Sequence, residues 1–135
     1  MVAEKNYIIQ GGKIIADIPC FNLGLTLDCG QAFRWTQTDT NEWHGVAFSK
    51  ALTLRQTECG VEFIGTTVDE FENTWIPYFD LERNYDELCE KFKNDSQLKK
   101  AVSKCYGIRV LKQEPWETLC SFIISQNNNI PRIKG

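Results

Sequence analysis

The sequence predicts an α+β fold: a twisted antiparallel sheet through residue 66, then helices to residue 135. Three observations predict it. The first 65 residues hold short apolar, β-branched and aromatic runs divided by polar turn clusters. At Thr67 the apolar spacing lengthens from two residues to the helical three and four. The composition, 42% hydrophobic and 12% aromatic over 135 residues, is that of a chain able to bury a core. No apolar run approaches the roughly 18–20 residues needed to cross a bilayer, so no membrane partner is expected. Residues 1–10 lack the basic start and apolar stretch of a secretory signal.

The strands come first. Lys13–Ile18 is apolar and β-branched and runs into Pro19. Gln31–Thr36 alternates, which predicts Ala32, Arg34 and Thr36 on one face and Phe33 and Trp35 on the core face. Glu42–Phe48, with His44 as an ordinary strand residue, Ala51–Arg55 and Gly60–Gly65 follow, with turn clusters such as Thr38–Asn41 between. Short strands without room for crossover helices imply an antiparallel meander.

The helices follow. Thr67-Val-Asp-Glu70 is a capping box ahead of Val68, Phe71 and Trp75. Asn84 caps a helix carrying Tyr85, Leu88 and Phe92 on one face, and Asp95 or Ser96 caps one carrying Leu98, Val102 and Cys105. Gly107 is a helix stop. Pro115 opens Trp116–Ser125, which is apolar nearly all round and so is expected at the centre of a core. Pro131 begins a further helix, and the chain stops at Gly135 one turn later, so the sequence reads as cut in mid-domain. The expected organisation is a sheet domain over 1–66 and the start of an incomplete helical domain over 67–135.

Six cysteines stand at 20, 29, 59, 89, 105 and 120. None forms a C-x-x-C pair and the single histidine, His44, is beside none of them, so no metal site and no cofactor is expected. They read as small buried hydrophobes in a reducing, intracellular compartment. Asp28-Cys-Gly-Gln-Ala-Phe33 echoes Glu58-Cys-Gly-Val-Glu-Phe63, but Leu88-Cys-Glu-Lys-Phe92 lacks the glycine, so no repeat is inferred. Residues 1–80 carry 5 Lys/Arg against 11 Asp/Glu, and residues 81–135 carry 10 against 7. Any phosphate contact is therefore sought in the C-terminal part.

Two segments carry a resemblance. Leu27-Asp-Cys-Gly-Gln-Ala-Phe-Arg-Trp35 and Gly107–Gly135, with its Ser121-Phe-Ile-Ile-Ser-Gln-Asn-Asn-Asn-Ile-Pro-Arg-Ile133 run, together resemble the 8-oxoguanine DNA glycosylase/AP lyases of the helix-hairpin-helix superfamily. The resemblance spans most of the chain but only the N-terminal part of such an enzyme. It implies a sheet like that of the TATA-binding protein, followed by the first helices of a glycosylase domain. The implied partner is duplex DNA with 8-oxoguanine opposite cytosine, bound by a monomer completed by the remainder of the glycosylase domain.

The chemistry fits the residues. Guanine N7 is an acceptor, whereas 8-oxoguanine carries a hydrogen there. A fixed backbone carbonyl aimed at N7 attracts the damaged base and repels the normal one, a difference of about 1–3 kcal/mol. Glycine lets a backbone approach a ligand closely. The resemblance puts that carbonyl at Gly30; from the residues alone, Gly30 reads better as a turn glycine between two strands. Gln31 would buttress the lesion pocket. Flipping a base leaves a hole and an orphaned partner. The resemblance sends Asn127 into the hole and Arg132 to the orphaned cytosine, on a loop shared with Asn128 and Asn129 that also suits a helix end. Arg34 would meet a phosphate or a structural carboxylate, Lys134 a phosphate, and Phe122 either the lesion pocket or the core.

The lyase step of such enzymes needs a lysine amine in the hairpin and a nearby aspartate. The lysines here lie on solvated helix faces or in the sheet, and the resemblance puts the family's lysine and aspartate beyond position 135, so no catalytic residue is assigned and the chain alone is expected to be inactive. Two other classes remain open: a non-catalytic module that binds damaged DNA or a protein, and a small ligand-binding domain unrelated to DNA. The second leaves the Gln-Ala-Phe-Arg-Trp and Asn-Asn-Asn segments without a purpose.

Overall fold

The computed structural model describes residues 6–38 and 40–134; for Lys134 this means the backbone only. Six strands form one antiparallel sheet in the order β1-β2-β6-β5-β4-β3. They are β1 (Tyr7–Gln10), β2 (Lys13–Ala16), β3 (Trp35–Gln37), β4 (Glu42–Ala47), β5 (Lys50–Thr57) and β6 (Gly60–Ile64). The meander holds from β3 to β6. The β1–β2 hairpin then joins the far edge, with Ile14 opposite Phe63. β1 was not expected from the sequence, because Tyr7-Ile-Ile-Gln10 is short and mostly exposed on an edge.

The Gln31–Thr36 strand is corrected. Only Trp35–Gln37 is strand; residues 31–34 form an irregular turn. The expected alternation therefore fails. Ala32 and Trp35 are buried, and Phe33 is only half-buried. A helix also interrupts the strand region, α1 (Leu23–Leu27), capped by the Asn22 carboxamide accepting from the Leu25 N–H at 2.9 Å.

The core face of the sheet alternates as its period of two requires: Ile14 and Ala16, Val61 and Phe63, Leu52 and Leu54, Trp43 and Ala47. Against it packs a helical run, α2 (Val68–Glu70), a π segment (Phe71–Trp75) and α3 (Ile76–Tyr78). The capping box is present at Thr67 and Glu70. The π turn has a local cause. Pro77 has no N–H to give to the carbonyl four residues back, and the widened turn bonds Ile76 N–H to Phe71 instead. Phe71, Trp75, Tyr78 and Phe79 enter the same core as Trp35 and Phe63. The change of pattern at residue 67 is thus a change of secondary structure over a shared core.

Both buried indoles find acceptors: Trp35 Nε1 donates to Tyr78 Oη at 2.9 Å and Trp75 Nε1 to Thr66 Oγ1 at 3.0 Å. Burial pushes the Tyr78 hydroxyl up to about 12, so it stays protonated at neutral pH.

Four more helices follow: α4 (Tyr85–Phe92), α5 (Ser96–Cys105), α6 (Pro115–Ser125) and α7 (Ile130–Lys134). Asn84 caps α4, and Asp95 rather than Ser96 caps α5. The expectation for α6 is corrected. It has no buried residue: Trp116, Phe122 and Ile123 are 68%, 61% and 62% exposed, so its apolar surface faces outward from these residues. Among the described residues no helix is long and apolar enough to cross a membrane.

Candidate nucleic-acid interface

Gly30 stands in the turn between α1 and β3 with φ +86°, in the left-handed region that side chains resist. A Cβ built there would lie 3.3 Å from Ile130 Cδ1 on α7. The two motif segments, a hundred residues apart in the chain, therefore meet at Gly30 and Ile130. Among the described residues no hydrogen bond reaches the Gly30 carbonyl.

The turn is held from behind by an extended strap, residues 107–113. Gln31 Nε2 donates to Thr26 O at 3.0 Å and to Arg109 O at 2.8 Å, and Gln31 Oε1 accepts from Leu111 N–H at 3.0 Å. The Gln31 main-chain carbonyl accepts from the Gln113 side chain. Gln31 is thus fixed at both ends, and with it the peptide that follows Gly30. Its side chain is spent on the backbone of the chain itself.

The strap is anchored in turn. Gly107, at φ +96°, passes so close to Asn22 that a Cβ would fall 2.8 Å from the Asn22 Cβ. Its carbonyl accepts from Asn22 N–H at 2.8 Å and from Thr26 Oγ1 at 3.2 Å. Arg109 is buried and donates to three carbonyls, those of Cys20, Asp80 and Pro19, at 3.2, 2.8 and 2.9 Å. Its guanidinium lies 4.4 Å over the Tyr85 ring. Burial lowers its pKa, against the opposing pull of Tyr85, Cys20 and Asp80.

Asp80 lies at φ +52° and takes Lys112 Nζ and Arg83 Nε at 2.7 Å and Tyr85 Oη at 3.1 Å. Burial works to raise its carboxyl. The Lys112 and Tyr85 hydrogen bonds and the Lys112 and Arg83 contacts outweigh that and hold it below the usual range. Arg109, Gln113, Thr26 and Ile130 received no role from the sequence. The available signal was a charged residue between Ile108 and Val110 in a strongly apolar segment.

At the far end of α6 the chain turns through Asn127, at φ +54°. The three asparagines behave differently. Asn128 Nδ2 donates to Ile124 O at 3.3 Å and Asn128 Oδ1 accepts from Asn129 N–H at 3.0 Å. Asn129 Oδ1 accepts from Arg132 N–H at 3.0 Å and so caps α7. Asn127 is exposed, and no hydrogen bond to its side chain occurs among the described residues. Arg132 is exposed too, and its guanidinium makes no ion pair among them. Arg34 reaches Glu117 on α6, with Nη1–Oε2 at 3.2 Å, so its partner here is a carboxylate. Phe122 is open to solvent on α6, away from any core. The Lys134 side chain lies outside the described residues. No group of three or more His, Cys, Asp or Glu able to hold a metal occurs among the described residues.

Comparison with known proteins gives consistent results. Residues 13–119 match the family model described as 8-oxoguanine DNA glycosylase, N-terminal domain. The chain is 32% identical over 135 residues to the N-glycosylase/DNA lyase of Saccharomyces cerevisiae, covering 90% of this chain and 36% of that protein. It is 32% identical over 117 residues to N-glycosylase/DNA lyase OGG1 of Arabidopsis thaliana, covering 82% and 32%. Among solved structures it is similar to MBOgg1 in complex with a low-affinity DNA ligand, at TM-score 0.92 and 38% identity over 98% of this chain and 46% of that one. It is also similar to the Clostridium acetobutylicum 8-oxoguanine glycosylase/lyase in complex with double-stranded DNA containing cytosine opposite 8-oxoG. There the TM-score is 0.89 with 38% identity, over 96% of this chain and 46% of that one. The chain thus spans about a third of the length of the curated relatives it matches.

Proposed function

Since the chain belongs to the 8-oxoguanine DNA glycosylase family through its N-terminal domain, we propose that it carries the lesion-reading and orphan-base surfaces of a base-flipping 8-oxoguanine glycosylase/AP lyase. The observation that carries this reading is the meeting of Gly30 with Ile130, which brings the lesion-reading turn beside the Asn127–Arg132 loop. A surface that must hold a flipped base and also fill its vacancy needs those two segments together.

Each residue then has a chemical role. The Gly30 carbonyl accepts the N7–H of 8-oxoguanine and meets a lone pair on guanine, a difference of about 1–3 kcal/mol, or roughly fivefold to 150-fold. Gln31 and the strap keep that carbonyl from turning away. Asn127 offers both donors and acceptors to the vacated space, and Arg132 presents its fork to O2 and N3 of cytosine. Asn128 and Asn129 shape the loop. Arg34 joins the turn to α6, Phe122 lines the lesion pocket, and Lys134, on the same short helix as Arg132, meets phosphate. The open apolar face of α6 packs against the remainder of the glycosylase domain. The protein works without a metal or other cofactor, as a monomer on duplex DNA in a reducing intracellular compartment.

The nucleophile is not among these residues. A Schiff-base amine must be unprotonated. Lys13, Lys50, Lys91, Lys93 and Lys112 are each engaged in an ion pair with a carboxylate, and the hydrogen bond to Glu90 raises the pKa of Lys93. The test is borohydride trapping on a duplex with 8-oxoguanine opposite cytosine. This chain should give no adduct, and a protein continuing past Gly135 should give one. An adduct with this chain would overturn the assignment of the nucleophile. No adduct with the longer protein would overturn the lyase reading. Binding of the damaged duplex by the longer protein without turnover would favour a non-catalytic module.

A further inference from the structure

Cys20 and Cys89 lie in different parts of the chain, yet their sulfurs are 3.8 Å apart. Among the described residues no other two cysteine sulfurs come within hydrogen-bonding reach of each other. Cys20 sits in the loop after β2, buried, in left-handed backbone at φ +52°, with its carbonyl held by Arg109 Nε. Cys89 is half-buried on α4, a helix with no fully buried residue. One thiol is therefore fixed by the body, and the other lies on a helix with no fully buried residue, with about 2 Å to close to reach an S–S bond length of about 2 Å. No metal explains the pair, since among the described residues no third ligand joins it.

We infer that Cys20 and Cys89 are a dithiol site that reacts with a small-molecule disulfide of the glutathione type and closes into an intramolecular disulfide. The exchange balances in two steps. The Cys89 thiolate, reachable from solvent, attacks one sulfur of oxidised glutathione, forming a mixed disulfide and releasing one glutathione thiolate. Cys20 loses its proton and attacks the Cys89 sulfur, releasing the second glutathione. The protein gives up two electrons and two protons, and one oxidised glutathione becomes two reduced. Burial, the hydrogen bond with Cys20 and the nearby Asp86 raise the pKa of Cys89, which slows the first step. The product ties α4 to the loop that holds Arg109.

The experiment uses the full chain in buffers of graded oxidised-to-reduced glutathione ratio, followed by alkylation and peptide mapping. The expected result is a Cys20–Cys89 cross-linked peptide at a ratio about tenfold or more below that needed for any other pairing. The unfolding midpoint should rise by on the order of 10 °C, as expected for closing a long loop. Cys29, Cys59, Cys105 and Cys120 serve as controls in the same molecule and should give only mixed disulfides. Cys89→Ser should abolish the cross-link and leave Cys20 unmodified. A stable mixed disulfide on Cys89 with Cys20 still free would overturn the inference, as would scrambled pairing. Because the readout needs no DNA, it stands apart from the proposed function.

Discussion

Gln31 offers a direct test of what holds the turn at Gly30. Replacing it with alanine removes two donated bonds, at 3.0 and 2.8 Å, and one accepted bond at 3.0 Å. At about 1 kcal/mol for each net bond the loss is about 3 kcal/mol. The residue is half-buried, so water replaces part of this and about 2 kcal/mol is expected. With an m value of about 1–3 kcal/mol/M, the urea midpoint should fall by about 1 M. Gln31→Glu separates donors from acceptors. A carboxylate can still accept from Leu111 N–H, but its other oxygen faces the Thr26 and Arg109 carbonyls as a lone pair against lone pairs. Those carbonyls disfavour the charged form, so its folded-state pKa is raised above the unfolded value. The protonated form can donate to one of them. A carboxyl with a raised folded-state pKa costs stability at pH values above the unfolded pKa, and the cost shrinks as pH falls to the ordinary Glu range near about 4. The glutamate variant should thus be less stable than the alanine variant at pH 7 and recover relative to it at pH 4. Urea titrations of both variants at the two pH values measure this. A glutamate variant as stable as the parent chain at pH 7 would refute the claim that Gln31 holds the strap through its donors.

Gly30→Ala must adopt φ near +86° and bring a methyl 3.3 Å from Ile130, so it should cost about 1–2 kcal/mol of stability by chemical denaturation. In a protein extended past Gly135, it should also narrow the preference for 8-oxoguanine over guanine. An unchanged preference would remove Gly30 from the reading role. The lowered Asp80 carboxyl makes its share of stability present above its unfolded pKa and lost as pH falls through the lower folded value. Stability should accordingly drop on acidification below about pH 4, and less steeply in Asp80→Asn, which is weaker at neutral pH by about 1–3 kcal/mol. Ile123→Glu, on the open face of α6, should change the stability of this chain by no more than about 0.5 kcal/mol. It should reduce binding of a hydrophobic dye and strongly destabilise a protein in which that face is covered. A large loss in this chain alone would show that α6 already packs against something here.

What the sequence determines here is local. Thr67 with Glu70, Asn84, Asp95 and Pro115 act within one turn of helix, so each is legible without knowing what lies across the fold. The period of two in β4, β5 and β6 is legible for the same reason, because it reflects a sheet with one buried face. Gly30, Asn127 and Arg132 are singled out by the resemblance of their two segments to a glycosylase family, and residue type alone would leave Gly30 a turn glycine. The tertiary structure alone decided everything that depends on residues distant in the chain. Residues 31–34 alternate like a strand, yet they are a turn, because Gln31 bonds to Arg109, Leu111 and Gln113 rather than to a neighbouring strand. Among the asparagines, Asn128 bonds back to α6, Asn129 caps α7 and Asn127 is left open, a difference set by which backbone groups lie in reach and invisible in three identical letters. The burial of Arg109 follows from three carbonyls supplied by the loops around Pro19, Cys20 and Asp80, and the exposure of α6 from the absence of any described element over its apolar face. Hydrophobicity states that a side chain favours burial; only the arrangement in space states what is there to bury it.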